Sequence, residues 1–155
     1  MLKKVIFVAS SGGHLTEILK LDKLFKNYDY LLVTEETDLT KNLVEKYNTE
    51  FLKYGPNKNI FKYIAVLFSN VIKCIKMVNK FRPQTVVSTG AQVGGIMCMI
   101  AKLRGAKIVY IESLAKVDSL SVTARNVYPF ADEFFVQWEN LTKKYKKAKY
   151  LGRLI

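Results

Sequence analysis

The sequence is poor in the residues that build disulfide frameworks and metal centres. Its 155 residues include two cysteines, Cys74 and Cys98, and a single histidine, His14. Both cysteines fall on segments with helical patterning and lack metal-type spacing, so we expect buried, reduced thiols of the kind found in cytosolic proteins. The sequence therefore predicts neither a metal site nor a bound cofactor.

Targeting signals and long apolar runs are also missing. Lys3 and Lys4 precede an apolar stretch that is too short for a signal peptide, and no run of about 20 apolar residues could form a simple transmembrane span. The chain shows no linker, internal repeat or low-complexity tract. Half of the residues are hydrophobic, and a chain of this length can bury one sizeable core. We predict a single domain over residues 1–155.

Acidic residues are scarce: the sequence contains 13 Asp and Glu but 25 Lys and Arg, which gives a net charge of +12. Such a surface attracts polyanions, which include nucleic acid, anionic lipid and phosphorylated ligands. Only four of the basic residues are arginines: Arg82, Arg104, Arg125 and Arg153. Because nucleic-acid recognition relies on guanidinium forks, and no nucleic-acid module is recognisable, we do not expect nucleic acid as a partner.

Strand and helix patterns alternate along the whole chain. Strands are predicted at residues 5–9, 30–33, 51–54, 85–88, 107–111 and 133–137. Helices are predicted at residues 13–25, 38–47, 59–81, 93–103, 119–128 and 138–145, and Gly55-Pro56-Asn57 is predicted to close the third strand. This alternation implies βαβ units, so the predicted fold class is α/β, a single Rossmann-like doubly wound parallel sheet.

Glycine-rich turns follow two of these strands. The first strand ends at Ser10-Ser11-Gly12-Gly13-His14, and the fourth at the segment 88–95, which contains Thr89, Gly90, Gly94 and Gly95. A strand that feeds such a turn at a helix N-terminus can hold phosphate or another anion. Neither the dinucleotide fingerprint nor the Gly-Lys-Ser/Thr loop is present, so a tight structural turn with an incidental histidine remains the alternative.

A third strand end carries Glu112-Ser113 after the run 107–111. Because ligands of parallel sheets bind at the carboxyl ends of the strands, we expect the three strand ends to converge on one rim.

Residues 59–82 predict a long, basic, amphipathic helix. One broad face is apolar and comprises Ile60, Ile64, Leu67, Phe68, Val71, Ile75 and Val78. Lys62, Lys73, Lys76 and Lys80 fall within about 60° of each other on the opposite side. The helix could be an ordinary core helix with a solvated lysine stripe. We favour a helix that lies in a membrane interface, with these four lysines contacting anionic headgroups, because the apolar face is wider than one side of a sheet can cover.

Three blocks of the sequence resemble one protein family. They are the turn at residues 10–14, the run at 86–113 and the run at 128–152. Together they are similar to the acceptor-side membrane subunit of two-part glycosyltransferases. One such enzyme adds the second N-acetylglucosamine to dolichyl diphosphate in asparagine-linked glycosylation. Bacterial counterparts act in capsule and exopolysaccharide synthesis, and the last block resembles that branch in particular.

The resemblance implies the N-terminal half of a GT-B glycosyltransferase, with no second half to bind a donor and no activity alone. It also implies a donor-binding partner subunit, a polyprenyl-diphosphate-linked acceptor and a peripheral location on the cytoplasmic face of the cell membrane. The eukaryotic N-terminal anchor is missing, so membrane contact would come from the helix at 59–81.

A fainter similarity to the peptidoglycan N-acetylglucosaminyltransferase implies roles for individual residues. Ser11, Gly12, Gly13, Thr89, Gly90, Gly94 and Gly95 would hold the acceptor and its diphosphate. His14 is the first candidate for the base that takes the proton of the acceptor hydroxyl, and Glu112 is the second. His14 could instead only cap the helix or contact the diphosphate. A small complete enzyme acting on a phosphorylated metabolite, and a non-catalytic membrane scaffold or enhancer of a partner transferase, also remain open.

Overall fold

The computed structural model describes residues 1–55 and 59–154, and it contains one sheet of seven parallel strands. The strands are β1 Lys4–Val8, β2 Asp29–Glu36, β3 Thr49–Lys53, β4 Thr85–Ser88, β5 Lys107–Ile111, β6 Glu133–Val136 and β7 Ala148–Tyr150. Their order is β3-β2-β1-β4-β5-β6-β7, and every neighbouring pair runs parallel. The predicted α/β fold is confirmed, and all strands point their carboxyl ends to one rim.

The sequence pattern missed only β7 among these strands. It is three residues long, and two of them, Lys149 and Tyr150, are exposed, so it carries almost no apolar signal. A short strand with a lysine is a common way to end a sheet, because it discourages further pairing.

The helices are shorter than predicted, with one exception. They are α1 Gly13–Leu19, α2 Asp22–Phe25, α3 Ile60–Phe81, α4 Ala91–Leu103, α5 Val122–Val127 and α6 Asn140–Lys144. The helix predicted at 13–25 is interrupted between α1 and α2. Only α4 begins earlier than predicted. Pro56 and Asn57, which the sequence predicted to close the third strand together with Gly55, lie outside the described residues.

The helix predicted at 38–47 is only a 3₁₀ helix, Lys41–Glu45. The Thr40 hydroxyl donates to the carbonyl oxygen of Glu35 at 2.6 Å and accepts the N–H of Thr37 at 2.9 Å. This local bonding competes with helix formation and holds the chain in a turn.

The two faces of the sheet are covered unequally. Helices α3 to α6 pack on one face and enclose the larger core, which includes Val8, Val86, Ile108 and Phe134. Helices α1 and α2 pack on the other face, where the buried apolar cluster comes from β1, β2 and these two helices.

Part of that second face is left open over β4, β5 and β6. An apolar groove of about 530 Å³ runs there, which we call the sheet groove. Thr85, Val87, Val109 and Phe135 lie on its floor, half-buried, while their strand neighbours are buried on the opposite face. Leu24 and Leu151 line its sides.

Helix α3 packs on the sheet with a narrow face, which shares only Val78 with the broad apolar face described from the sequence. Asn70, Cys74, Met77 and Val78 are its buried residues. The polar residue Asn70 can be buried because both polar atoms of its side-chain amide are hydrogen-bonded. Its Oδ1 accepts the N–H of Lys53 at 2.9 Å, and its Nδ2 donates to the carbonyl oxygen of Lys53 at 2.9 Å. These two bonds join α3 to the edge of β3.

The consequence is a set of exposed apolar residues on α3, which we call the apolar stripe. Its members are 38–81% exposed and are Ile60, Phe61, Ile64, Phe68, Ile72 and Ile75. The sequence placed Ile64, Phe68 and Ile75 on a broad apolar face that one side of a sheet cannot cover, and their exposure agrees with that interpretation. Membrane contact by this face stays a prediction. In residues 1–55 and 59–154, no helix has the length and apolar character needed to cross a bilayer.

Candidate functional site

The two glycine-rich turns adopt the same backbone conformation side by side. Gly12 precedes α1 with φ 90° and ψ −141°, and Gly90 precedes α4 with φ 113° and ψ −154°. These angles strain any residue with a Cβ, so both positions require glycine. Because β1 and β4 are paired neighbours, the turns lie together at the carboxyl rim.

A reciprocal pair of hydrogen bonds joins the two turns. His14 Nδ1 lies 2.7 Å from the carbonyl oxygen of Thr89, and the Thr89 hydroxyl donates to the carbonyl oxygen of His14 at 2.7 Å. A carbonyl oxygen only accepts, so Nδ1 carries the proton and Nε2 is the ring nitrogen that can take another. The His14 side chain is 28% exposed, so the ring is reachable from solvent.

Gly90 makes room for the imidazole. A Cβ on Gly90 would lie 2.9 Å from the Tyr110 hydroxyl and 3.1 Å from His14 Cε1. Tyr110 comes from β5, so the site draws on three adjacent strands. Burial, and next the charge of Glu112, raise the pKa of the Tyr110 hydroxyl, which is therefore neutral beside the ring.

Glu112 is fully buried at the end of β5. Its Oε1 accepts the N–H of Ser113 at 2.9 Å and the hydroxyl of Ser121 at 3.1 Å, and its Oε2 accepts the N–H of Ser121 at 2.7 Å. Burial raises the pKa of Glu112, and the bonds to Ser121 and Ser113 oppose that rise. Because both oxygens are occupied, the geometry favours His14 over Glu112 for taking a proton from a bound hydroxyl. The base role of Glu112 stays a prediction.

Ser11 is hydrogen-bonded to Glu35, a residue that the sequence pattern did not single out. Its N–H and hydroxyl donate to Glu35 Oε2 at 3.2 and 3.3 Å. Glu35 lies in β2, next to β1, and only tertiary structure brings it to the turn. An acceptor diphosphate on Ser11 would have to displace this carboxylate, whereas Gly12 and Gly13 stand at the start of α1.

Gly94 and Gly95 lie inside α4, beyond its N-terminal turn. A Cβ on Gly94 would fall on the Ser88 hydroxyl, and one on Gly95 would meet Thr123 of α5 at 2.7 Å. Close packing against β4 and α5 thus accounts for both glycines. Their predicted contact with the acceptor is not tested by this packing.

A polar cavity of about 230 Å³ opens beside the rim, between the first turns of α3 and α4. Glu35, Tyr54, Tyr63 and Gln92 are among its lining residues, and Tyr63 donates its hydroxyl to Gln92 Oε1 at 2.6 Å. The long helix therefore starts next to the glycine turns.

The four predicted membrane lysines are all exposed on α3. Lys73 Nζ lies 3.8 Å from Glu50 Oε2, and both side chains are nearly half exposed, so this pair is weak.

Comparison with known proteins agrees with the resemblance seen in the sequence. The family described as "Oligosaccharide biosynthesis protein Alg14 like" matches residues 5–154. The UDP-N-acetylglucosamine transferase subunit ALG14 of Yarrowia lipolytica is 28% identical over 98% of this chain and 81% of its own length. The human subunit of the same name is 25% identical over 97% of this chain and 82% of its own length.

Solved structures share the fold. MurG of Acinetobacter baumannii superposes with a TM-score of 0.69 at 18% identity and covers 89% of this chain. UDP-N-acetylglucosamine 2-epimerase of Rickettsia bellii superposes with a TM-score of 0.71 at 15% identity and covers 99% of this chain. The chain spans 42% and 46% of the length of these two structures.

Proposed function

Because the chain belongs to the Alg14 family of oligosaccharide biosynthesis proteins, we propose that it is the acceptor-binding subunit of a two-component glycosyltransferase. Its relatives are named as subunits of UDP-N-acetylglucosamine transferase, which supports a partner subunit and a nucleotide-sugar donor. In this proposal the partner chain binds the donor. The acceptor is a saccharide linked to a polyprenyl diphosphate.

The observation that carries the proposal is the bond between His14 and Thr89 at the rim where two glycine turns meet. It leaves Nε2 of His14 free to take the proton of the acceptor hydroxyl. That oxygen then bonds to the anomeric carbon of the donor sugar, while the bond from this carbon to the nucleoside diphosphate breaks and the nucleoside diphosphate leaves. The diphosphate would lie at the glycine turns near Gly12, Gly13 and Gly90. There the dipole of α4 favours an anion.

The apolar stripe supports membrane association. A stripe of six exposed apolar residues, flanked by Lys62, Lys73, Lys76 and Lys80, has the chemistry of a helix lying in a membrane interface. Since α3 begins beside the glycine turns, docking of this helix would present the rim to a lipid-linked acceptor. The proposed location is the cytoplasmic face of the cell membrane.

The sheet groove is the proposed contact surface for the donor-binding partner. It is an open apolar surface on a sheet whose other face is covered by helices. Exposed apolar patches of this kind mark protein interaction sites.

The polymer is a separate proposal. The similarity of residues 128–152 to the bacterial branch supports capsule or exopolysaccharide synthesis. The compared relatives carry a name that refers to N-acetylglucosamine transfer and mention neither polymer.

Replacement of His14 by Ala in the reconstituted two-chain complex tests the function. If His14 is the base, kcat falls by about 10² or more. If it only contacts the diphosphate, the change raises mainly the KM of the acceptor. Pull-down of the partner serves as the control, because no residue of the turn lines the sheet groove. Full activity of the variant complex would favour a non-catalytic scaffold, with the base on the partner.

A further inference from the structure

Glu17 is a buried acid that the proposed function has not used. It lies on α1, three residues after His14, and is only 3% exposed. Residues three apart share one face of a helix. The burial of a carboxylate is costly unless it has partners, so its contacts indicate what it does.

The two oxygens of Glu17 have different surroundings. Oε1 accepts the N–H of Leu114 at 2.7 Å, the hydroxyl of Ser113 at 3.1 Å and the amide of Gln137 at 3.3 Å. Oε2 has no hydrogen-bond partner within the described part of the chain. It lies 3.8 Å from Nδ1 of His14.

This geometry affects the charge that His14 acquires. When Nε2 takes a proton, the ring becomes positive, while its Nδ1–H stays on the Thr89 carbonyl. A negative charge on the buried Glu17 carboxylate, 3.8 Å from Nδ1, stabilises that cation by direct electrostatic attraction. Among the other groups near the ring, Glu112 already holds three donors and Tyr110 is neutral. The uncommitted carboxylate oxygen is therefore Oε2 of Glu17.

We propose that Glu17 is a positioning residue that acts through His14. Its carboxylate stabilises the imidazolium and, together with Thr89, fixes the ring orientation. Its Oε1 ties this arrangement to the segment after β5 through Ser113 and Leu114. The proposal rests on the assignment of His14 as the base.

The variant Glu17→Gln tests the charge with little change of shape. Its amide oxygen can keep the three Oε1 bonds, whereas the negative charge at Oε2 is lost. In the reconstituted complex we expect kcat to fall about tenfold or more, with a nearly unchanged KM for the acceptor. The acidic limb of the pH–kcat profile should move to lower pH, because a neutral amide no longer favours the protonated ring. Glu17→Asp should restore part of the profile.

Ser113→Ala is the matched control, since it removes one donor to Glu17 but keeps the charge. Its acidic limb should remain in place. The double variant His14→Ala/Glu17→Gln should be no slower than His14→Ala alone.

If Glu17→Gln lowers kcat by the same factor in the unmodified chain and in the His14→Ala variant, its role is purely structural and the inference is overturned. If Glu17→Gln leaves both kcat and the acidic limb unchanged, the inference about Glu17 is overturned. If the His14→Ala complex is slow in the same experiment, the assignment of His14 as the base still holds. Full activity of His14→Ala would overturn both.

Discussion

At the scale of single residues, glycines of this site serve different purposes. Gly12 and Gly90 have backbone angles that other residues resist, and Gly90 also leaves space for His14 and Tyr110. Gly94 instead allows α4 to approach Ser88 of β4, whose hydroxyl accepts the N–H of Gly90 at 3.1 Å. A methyl group at position 94 would therefore disturb the turn that holds the imidazole.

Gly94→Ala should lower the free energy of unfolding by about 1–3 kcal/mol, because the new Cβ meets a buried hydroxyl. Gly13→Ala is the control, since nothing lies within 4 Å of the added atom. That variant should leave stability unchanged or raise it by up to about 1 kcal/mol. Urea denaturation measures both. Removal of the Ser88 hydroxyl should relieve the clash, so the double variant Gly94→Ala/Ser88→Ala should be more stable than the sum of the two single losses predicts. A loss of unfolding free energy equal to that sum would disprove the proposed clash.

At the scale of an element, α3 divides its surface into three parts. One face packs on the sheet through Cys74, Met77 and Val78, a second carries the lysines, and the third is the apolar stripe. Helices of ordinary doubly wound domains do not need the third face. Its chemistry fits a surface with an apolar interior and anionic headgroups.

Replacement of Lys62, Lys73, Lys76 and Lys80 by Gln should release the protein from anionic vesicles. Each lysine near such a surface contributes about 1 kcal/mol, and added salt should weaken binding of the unmodified chain. The control replaces Lys23, Lys26, Lys143 and Lys146, four exposed lysines elsewhere, and so makes the same change in net charge. Sedimentation with vesicles at low ionic strength gives the answer. No binding by the unmodified chain at low ionic strength would exclude α3 as a membrane-contacting helix.

The apolar contribution can be separated from charge by Ile64→Ser and Phe68→Ser, which alter exposed residues and leave the lysines in place. These changes should weaken vesicle binding while circular dichroism and thermal stability stay nearly constant.

At the scale of the whole molecule, the sheet is covered on one face and partly open on the other. The sheet groove reaches the carboxyl ends of β5 and β6 at Ile111 and Gln137, but none of its lining residues belongs to the two glycine turns. Substitutions in the turns and in the groove can therefore test acceptor chemistry and partner contact separately. The exposed apolar side chains of the sheet groove therefore lead to a prediction about binding of the partner subunit.

Leu24→Asp with Leu151→Asp should abolish co-purification with the donor-binding partner. Both side chains line the sheet groove and are exposed, at 46% and 82%, so the folded chain tolerates the change while an apolar contact does not. Leu39→Asp, at an exposed position that does not line the groove, is the control. Complex formation by the double variant at the level of the control would exclude the groove as the interface.

The sequence by itself determined the α/β class, because apolar runs and helical segments alternate with a period that local chain geometry imposes. It also located the two glycine turns and His14, since positive-φ positions after a strand leave a signature in the order of residues. The predicted strand at 85–88 and strand at 107–111 coincide with β4 and β5.

Only the tertiary structure decided which side chains meet. Glu17 and Glu35 look like ordinary surface acids in the sequence, and their roles depend on contacts with Ser113, Gln137 and Ser11 that lie far along the chain. The buried face of α3 likewise depends on Asn70 pairing with Lys53 of β3. Periodicity reports how apolar residues are spaced, but packing decides which of two apolar faces is buried, because burial depends on the neighbouring elements as well as on the helix itself.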